Sequence, residues 1–125
     1  MARDEFNENG SVKRVVDEKG IVRYFNSKGQ LHREDGPALI KADGEKNWFR
    51  NGKIHRDNGP AVEEPDGTKA WYRDGLQHRE DGPALELPMF GGIADEWWID
   101  GKQLTREQFI SSVAARKSSH PGRNI

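Results

Sequence analysis

Three histidine–arginine pairs recur at a fixed interval, and their side chains are the ones in this chain best suited to do chemistry. His32-Arg33, His55-Arg56 and His78-Arg79 follow one another at intervals of 23 residues. Imidazoles bind zinc and transfer protons near neutral pH, and a row of guanidinium groups binds phosphate or carboxylate. Each pair is followed by the same Gly-Pro-Ala tripeptide, so these side chains belong to a structural repeat.

The repeat extends well beyond the histidine–arginine pair. Residues 29–51 match residues 52–74 at 11 of 23 positions. A half copy ending in Tyr24-Phe25 lies upstream. A closing half copy over 96–102 comes three residues late, because 87–92 lengthens the preceding loop. Similarity at a fixed period, with atypical terminal copies, is typical of a repeat architecture.

Composition limits the fold and the partners. With 125 residues, 33% hydrophobic and 33% charged, the chain forms one domain with a small core. Periodic aromatic residues argue against disorder. The net charge of −1 gives no general attraction to nucleic acid or membrane, and without cysteine there is no thiolate metal site. No apolar run long enough for a membrane span or a signal peptide occurs, so we expect a cytoplasmic location.

Turn signals divide the repeat into short strands. Asn51-Gly52 and Asp74-Gly75 are typical of type I′ hairpin turns, and Asp43-Gly44 and Asp66-Gly67 predict a second turn in each unit. The expected fold is an all-β repeat, an antiparallel meander of short hairpins, followed by one C-terminal α-helix. The predicted strands lie near 38–41, 45–50, 53–56, 61–64, 68–73 and 76–79.

Counting outward from the turns places an aromatic residue opposite each histidine. The four predicted cross-strand pairs are Phe25–His32, Trp48–His55, Trp71–His78 and Trp97–Leu104. Because leucine takes the place of histidine in the last pair, we expect half-buried imidazoles that stack on the ring and donate to a turn carbonyl. A metal-binding row of histidines and a surface recognition role are the alternatives.

The arginines that follow the histidines are expected on the opposite face of the sheet. Each of Arg33, Arg56 and Arg79 has an acidic residue close by in the sequence, so local pairing with a turn carboxylate in solvent is the simplest interpretation. The alternative is a row of guanidinium groups that binds phosphate or carboxylate.

The end of the chain predicts a helix over 105–117. Thr105 and Gln108 have the spacing of a capping box, and Phe109, Ile110 and Val113 form an apolar stripe. We expect the stripe to cover one end of the sheet, with a docking helix for a partner as the alternative. The repeat domain is expected over 15–104, with flexible segments over 1–14 and 118–125.

The sequence Trp-[Phe/Tyr]-x-[Asn/Asp]-Gly-x-x-His-Arg-x-[Asp/Asn]-Gly-Pro-Ala, present at 48–61 and 71–84, resembles the MORN-like repeats of small phage proteins. The closing segment at 96–109 is similar to the usual end of such arrays. The resemblance covers about residues 20–110, and it implies a MORN-like sheet of hairpins.

No nucleophile elbow, phosphate loop or Rossmann glycine pattern occurs, so we expect no enzyme, no cofactor and no metal.

The leading hypothesis is a binding protein that occupies a partner's surface. As a phage protein it would be a counter-defence (anti-CRISPR) inhibitor of a host immune complex in the host cytoplasm, with neither membrane nor direct nucleic-acid binding. The candidate partner-binding residues are Tyr72, Trp97, Trp98, Arg33, Arg56 and Arg79, since rigid aromatic and arginine side chains dominate interface energies. The alternatives are a small-ligand or cyclic-nucleotide sponge and a structural, self-assembling module such as a homodimer.

Overall fold

The computed structural model describes residues 5–118, which form fourteen short strands, one 3₁₀ turn and one α-helix. The strands are β1 (Glu5–Phe6), β2 (Val12–Val16), β3 (Val22–Tyr24), β4 (Leu39–Ile40), β5 (Lys46–Asn47), β6 (Phe49–Arg50), β7 (Lys53–Ile54), β8 (Val62–Glu63), β9 (Lys69–Ala70), β10 (Tyr72–Arg73), β11 (Leu76–Gln77), β12 (Leu85–Glu86), β13 (Trp97–Ile99) and β14 (Lys102–Leu104). The 3₁₀ turn is Pro88–Phe90, and helix α1 is Arg106–Ser118.

The strands form one long sheet with three separate hairpins. Eight strands pair in the order β1-β2-β3-β4-β5-β8-β9-β12, and the pairs β6-β7, β10-β11 and β13-β14 stand apart from that sheet. Every strand pairing is antiparallel. The predicted meander of short hairpins with one C-terminal helix is confirmed.

Each repeat divides its strands between the long sheet and a hairpin. The sequence predicted single strands over 45–50 and 68–73, but the structure interrupts both at the repeat tryptophan. The backbone amide of Trp48 still donates to the Ala61 carbonyl at 2.8 Å. The next two residues, Phe49 and Arg50, pair instead with Ile54 and Lys53 in a separate two-stranded hairpin.

The hairpin turns have the conformation that their sequences predict. The first turn residue has a φ of 49° at Asn51, Asp74 and Asp100, and the following glycines have φ between 80° and 84°. Positive φ at both central positions defines a type I′ turn. The resulting registers, including Phe49–Ile54 and Trp97–Leu104, agree with those counted from the sequence.

The first repeat has a different register from the one predicted. Phe25 lies opposite Leu31, and His32 donates its backbone amide to the Tyr24 carbonyl at 3.0 Å. The predicted Phe25–His32 pair is therefore wrong. The cause is the turn Asn26–Gln30, whose loop holds three residues with a left-handed glycine at its end and is one residue longer than a type I′ turn.

The core is small and consists of small side chains. In residues 5–118, no large side chain is completely buried, whereas the alanines that end the Gly-Pro-Ala tripeptides have no exposed surface. The most buried apolar residues are Ala38, Ala61, Ala70, Ala84, Ile99 and Phe109. Since so little apolar area is buried, hydrogen bonds and stacked polar side chains must hold neighbouring repeats together.

The start of the chain forms strands where the sequence predicts a flexible segment over 1–14. Within residues 5–14 lie β1 and most of β2, which pair in the long sheet. Two asparagine side chains hold this segment, because Asn7 Nδ2 and Asn9 Nδ2 donate to the carbonyls of Phe25 and Ser27. Residues 1–4 and 119–125 lie outside the described part of the chain.

Helix α1 begins with the predicted capping box. The backbone amide of Gln108 donates to Thr105 Oγ1 at 3.1 Å, and the backbone amide of Thr105 donates to Gln108 Oε1 at 2.9 Å. Phe109 is buried, and its ring centroid lies 6.5 Å from that of Trp97. Ile110 is 50% exposed, so the apolar stripe is narrower than predicted.

Helix α1 packs against the last hairpin, β13-β14. It therefore covers that hairpin at the C-terminal end of the array. Within residues 5–118, no helix combines the length and the apolar character that a membrane span needs.

Candidate functional site

Each repeat histidine connects its own hairpin to the next one. The imidazole Nδ1 accepts a hydrogen bond from the first amide of the following type I′ turn, and the N–Nδ1 distance is 2.9 Å in all three cases: Asn51 to His32, Asp74 to His55 and Asp100 to His78. The predicted donation to a turn carbonyl is wrong. A two-residue turn leaves this amide unpaired within its own hairpin, so the turn presents a donor and the imidazole accepts.

This bond determines which imidazole nitrogen carries the proton. Because Nδ1 accepts, the hydrogen of the neutral ring is on Nε2. Nε2 of His55 donates to Asp57 at 2.7 Å, and Nε2 of His78 donates to Glu80 at 3.0 Å. These hydrogen bonds lower the pKa of both carboxyl groups.

The two buried imidazoles are therefore fully used within the protein. His55 and His78 are each less than 10% exposed, and both ring nitrogens of each have a protein partner. In the part of the chain that the structure describes, no three His, Cys, Asp or Glu side chains are grouped as a metal site would require. The geometry accounts for the repeated histidines as connectors between hairpins.

The repeat arginines lie over aromatic rings eight or nine residues earlier in the chain. The distance from Cζ to the ring centroid is 4.0 Å for Arg33 on Tyr24, 4.0 Å for Arg56 on Trp48 and 3.9 Å for Arg79 on Trp71. In each case Nη1 also donates to the carbonyl of the proline four residues later, at 3.0 to 3.2 Å. We call this arrangement of arginine, ring and proline carbonyl an arginine clasp. A stacked guanidinium of this kind is attracted to the ring face.

The glycine of the repeat is required by the clasp. A Cβ atom built on Gly36 or Gly82 would lie 2.9 Å from the Cζ atom of the clasped arginine, and on Gly59 it would lie 3.1 Å away. Only a residue without a side chain lets the guanidinium approach so closely. Folding thus accounts for the repeated histidine, arginine, glycine, proline and alanine of the sequence His-Arg-x-[Asp/Asn]-Gly-Pro-Ala, because each of them makes a contact within or between hairpins or is buried.

The six predicted partner-binding residues do not form one patch. Arg56, Tyr72 and Arg79 line a groove of about 670 Å³ between consecutive repeats. Arg33 lines a second groove of about 930 Å³ near the N-terminal strands, and Trp97 lines a third of about 370 Å³ beside the helix. The sixth, Trp98, is half-buried, and its indole N–H donates to a glutamate two residues earlier at 2.8 Å.

Sequence analysis missed a group of exposed apolar residues. The segment Leu87–Asp95, which we call the apolar loop, exposes Met89 by 66%, Phe90 by 53% and Ile93 by 93%. The signal was present in the sequence, since this segment lengthens the third repeat by three residues and puts apolar residues where the other copies have a polar turn.

The apolar loop is held in a defined conformation. Its ends are closed by Asp95, whose Oδ1 accepts from the Leu87 amide at 2.8 Å. Two further backbone bonds, from Phe90 to Leu87 and from Gly91 to Pro88, are both 3.0 Å long. At its base Pro88 packs against the preceding turn, because a Cβ on Gly67 would lie 3.1 Å from Pro88 Cγ. Hydrogen bonds within the loop and the packing of Pro88 thus hold the exposed side chains in defined positions.

No protein-family model, curated protein or solved structure matches the chain.

Proposed function

We propose that this is a non-enzymatic binding protein that attaches to a partner protein through the apolar loop. The observation that carries the proposal is the exposure of Met89, Phe90 and Ile93 on one loop. A hydrogen bond from the Leu87 amide to Asp95 joins the two ends of this loop. Contiguous exposed apolar side chains cost free energy in water and are typical of interaction sites. In repeat scaffolds, insertions of this kind often carry the binding face.

The other turns on this side of the sheet support a special role for the apolar loop. The loops 18–20, 42–44 and 65–67 each contain three residues, end in a left-handed glycine and are closed by the same pair of backbone hydrogen bonds. These short turns already suffice to connect neighbouring strands. The extra residues of the apolar loop are therefore not needed for the sheet.

The surroundings of the apolar loop indicate the chemistry of the partner. The neighbouring turn carries Glu64 and Asp66, and Asp95 closes the loop itself. Desolvation raises the pKa of Glu64, and the nearby carboxylates of Glu45 and Asp66 raise it further, which reflects a negative local potential. The complementary partner has an apolar pocket bordered by basic side chains.

A more specific proposal follows from the resemblance to MORN-like repeats of small phage proteins. A host protein that binds nucleic acid offers a basic surface, so the apolar loop and the carboxylates of Glu64 and Asp66 beside it would compete for that surface. We propose a counter-defence inhibitor that acts in the host cytoplasm by covering such a surface on an immune complex, for example a CRISPR effector. Without a catalytic motif in its sequence, the protein would act by occupancy alone.

The test compares two variants in a pull-down from host lysate, read by mass spectrometry. Met89→Ser/Phe90→Ser/Ile93→Ser removes the apolar side chains of the loop. Ile110→Ser is the matched control, because Ile110 is as exposed as Phe90 but lies on α1. We expect a stoichiometric partner with the wild type and with the control and its loss with the triple variant. A partner that the triple variant retains would exclude the apolar loop as the interface.

A further inference from the structure

The three arginine clasps form an internal comparison, because the same side chain is held in the same way three times. The stacking distances agree within 0.1 Å, from 3.9 to 4.0 Å. The bonds from Nη1 to the proline carbonyls are equally similar, at 3.2, 3.0 and 3.1 Å. The Nε edge of the guanidinium therefore has an equivalent orientation in every repeat.

The repeats differ in what this Nε edge binds. Arg33 Nε donates to Asp35 at 2.9 Å, and Arg79 Nε donates to Asp81 at 2.7 Å. In the middle repeat the corresponding residue is Asn58, and among residues 5–118 the hydrogen bonds of the Arg56 guanidinium all start from Nη1, so that Nε forms none. The Arg56 side chain is also the most exposed of the three, at 32% against 23% and 20%.

The clasps also differ in the number of carboxylates that contact the arginine. Arg56 Nη1 contacts Glu63 at 3.2 Å, just as Arg79 Nη1 contacts Glu86 at 3.2 Å. Arg79 has Asp81 in addition, so the middle clasp has one carboxylate fewer than the Arg79 clasp and the same number as the Arg33 clasp, whose partner is Asp35.

The Nε edge of Arg56 belongs to a groove with room for a ligand. Arg56 and Asn58 line the groove of about 670 Å³, together with Trp71, Tyr72 and Arg73. A groove of this volume lies within the usual range for small-ligand sites. Trp71 and Tyr72 supply an apolar wall, and the Asn58 amide is a further hydrogen-bonding group at the mouth of the clasp.

We infer that the groove beside Arg56 binds a carboxylate group, which takes the position that Asp35 and Asp81 occupy in the neighbouring repeats. The ligand is either an acidic side chain of a peptide or a free carboxylic acid, since both present the same planar group to the guanidinium edge. A phosphate dianion is disfavoured, because Asp57 and Glu80 line the same groove and would repel the higher charge.

The site is tested by NMR, using the side-chain Nε–H resonances of Arg33, Arg56 and Arg79 in one sample. The probes are acetate, a glutamate-containing peptide and inorganic phosphate, each at constant ionic strength. We expect the Arg56 resonance alone to shift and saturate with the two carboxylate probes. Saturation by the peptide at a much lower concentration than acetate would identify an acidic protein segment as the ligand, whereas equal concentrations would identify a free carboxylic acid.

Two single substitutions make the test decisive. Asn58→Asp introduces the aspartate that the other two repeats have at this position, so we expect the fold to be kept. Because this aspartate would occupy the Nε edge of Arg56, carboxylate binding should weaken at least about tenfold, which corresponds to about 1.4 kcal/mol. Asp81→Asn gives the Arg79 clasp the asparagine of the middle repeat. Glu86 contacts Arg79 there in the same way as Glu63 contacts Arg56. We expect this variant to create a second responsive arginine.

Three results would overturn the inference. These are an Arg56 resonance that moves no more than those of Arg33 and Arg79, an equal response in Asn58→Asp, and a stronger response to phosphate than to the carboxylates. The groove is separate from the apolar loop, so the triple serine variant of the loop should bind the probes like the wild type. Failure of one proposal is therefore distinguishable from failure of the other.

Discussion

The Nδ1 atom of His55 accepts a hydrogen bond from the backbone amide of Asp74, which lies 19 residues later in the chain and 2.9 Å away. The same relationship recurs one repeat earlier and one repeat later. It joins each hairpin to the turn of the next, where little apolar surface is available for packing. Each bond gives the turn amide an acceptor that its own hairpin does not supply, so these bonds hold neighbouring hairpins together.

Removing a buried connector should destabilise the fold more than removing an exposed one. We expect His55→Ala to lower the free energy of unfolding by about 2–4 kcal/mol, because the Asp74 amide loses its acceptor and a buried ring is removed. The control is His32→Ala, since the His32 side chain is 17% exposed against 4% for His55. Urea denaturation of both variants measures the difference, and equal losses would contradict the role of burial.

The glycine of the clasp can be tested through its coupling to arginine. Gly82→Ala should cost about 1–3 kcal/mol, because the new methyl group displaces the Arg79 guanidinium from Trp71 and from its hydrogen bonds. In an Arg79→Ala background the same change should cost much less. Thermal denaturation of the two single variants and the double variant gives this coupling. Additive losses would show that Gly82 is needed for another reason.

Acid should destabilise the protein through the carboxylates that the repeat arginines and histidines bind. Hydrogen bonds from His55, Arg33 and Arg79 lower the pKa of Asp57, Asp35 and Asp81. A carboxyl group whose pKa is lower in the folded than in the unfolded protein stabilises the fold at pH values above its unfolded-state pKa. This stabilisation is lost as the pH falls through the folded-state pKa. We therefore expect the melting temperature to fall below about pH 4, the ordinary pKa of aspartate.

The control for this pH dependence is Asp57→Asn, which should reduce the slope of melting temperature against pH in the acidic range while leaving the fold intact. A slope unchanged by this substitution would remove Asp57 from the explanation.

The two adjacent tryptophans of the last hairpin should behave differently. Trp97 packs on Phe109, so Trp97→Ala should cost about 3 kcal/mol and loosen α1, which far-UV circular dichroism would detect. From the sequence we predict that Trp98→Ala abolishes partner binding and leaves the fold. Its half-buried ring makes one side-chain bond, to Glu96. Partner binding that persists in a folded Trp98→Ala protein would contradict that prediction and would agree with an interface at the apolar loop.

Much of the architecture was predictable because the repeat is local. Type I′ turns follow from Asn-Gly and Asp-Gly pairs, and the capping box follows from the spacing of Thr105 and Gln108. These features depend on residues a few positions apart. Errors arose where one residue more or less changed the outcome, as in the Asn26–Gln30 turn, whose extra residue placed Tyr24 instead of Phe25 opposite His32.

The period, the turns, the alternation of short strands and the terminal helix all follow from the linear sequence, because they depend on local backbone preferences and on spacing. The roles of the repeated side chains follow only from the way the hairpins pack. Whether Arg56 faces solvent or lies on Trp48, and whether His55 donates or accepts, depends on neighbouring hairpins that the linear pattern does not position. The open edge of Arg56 and the exposed apolar loop emerged in the same way, since exposure and the lack of an acceptor are properties of the assembled repeats.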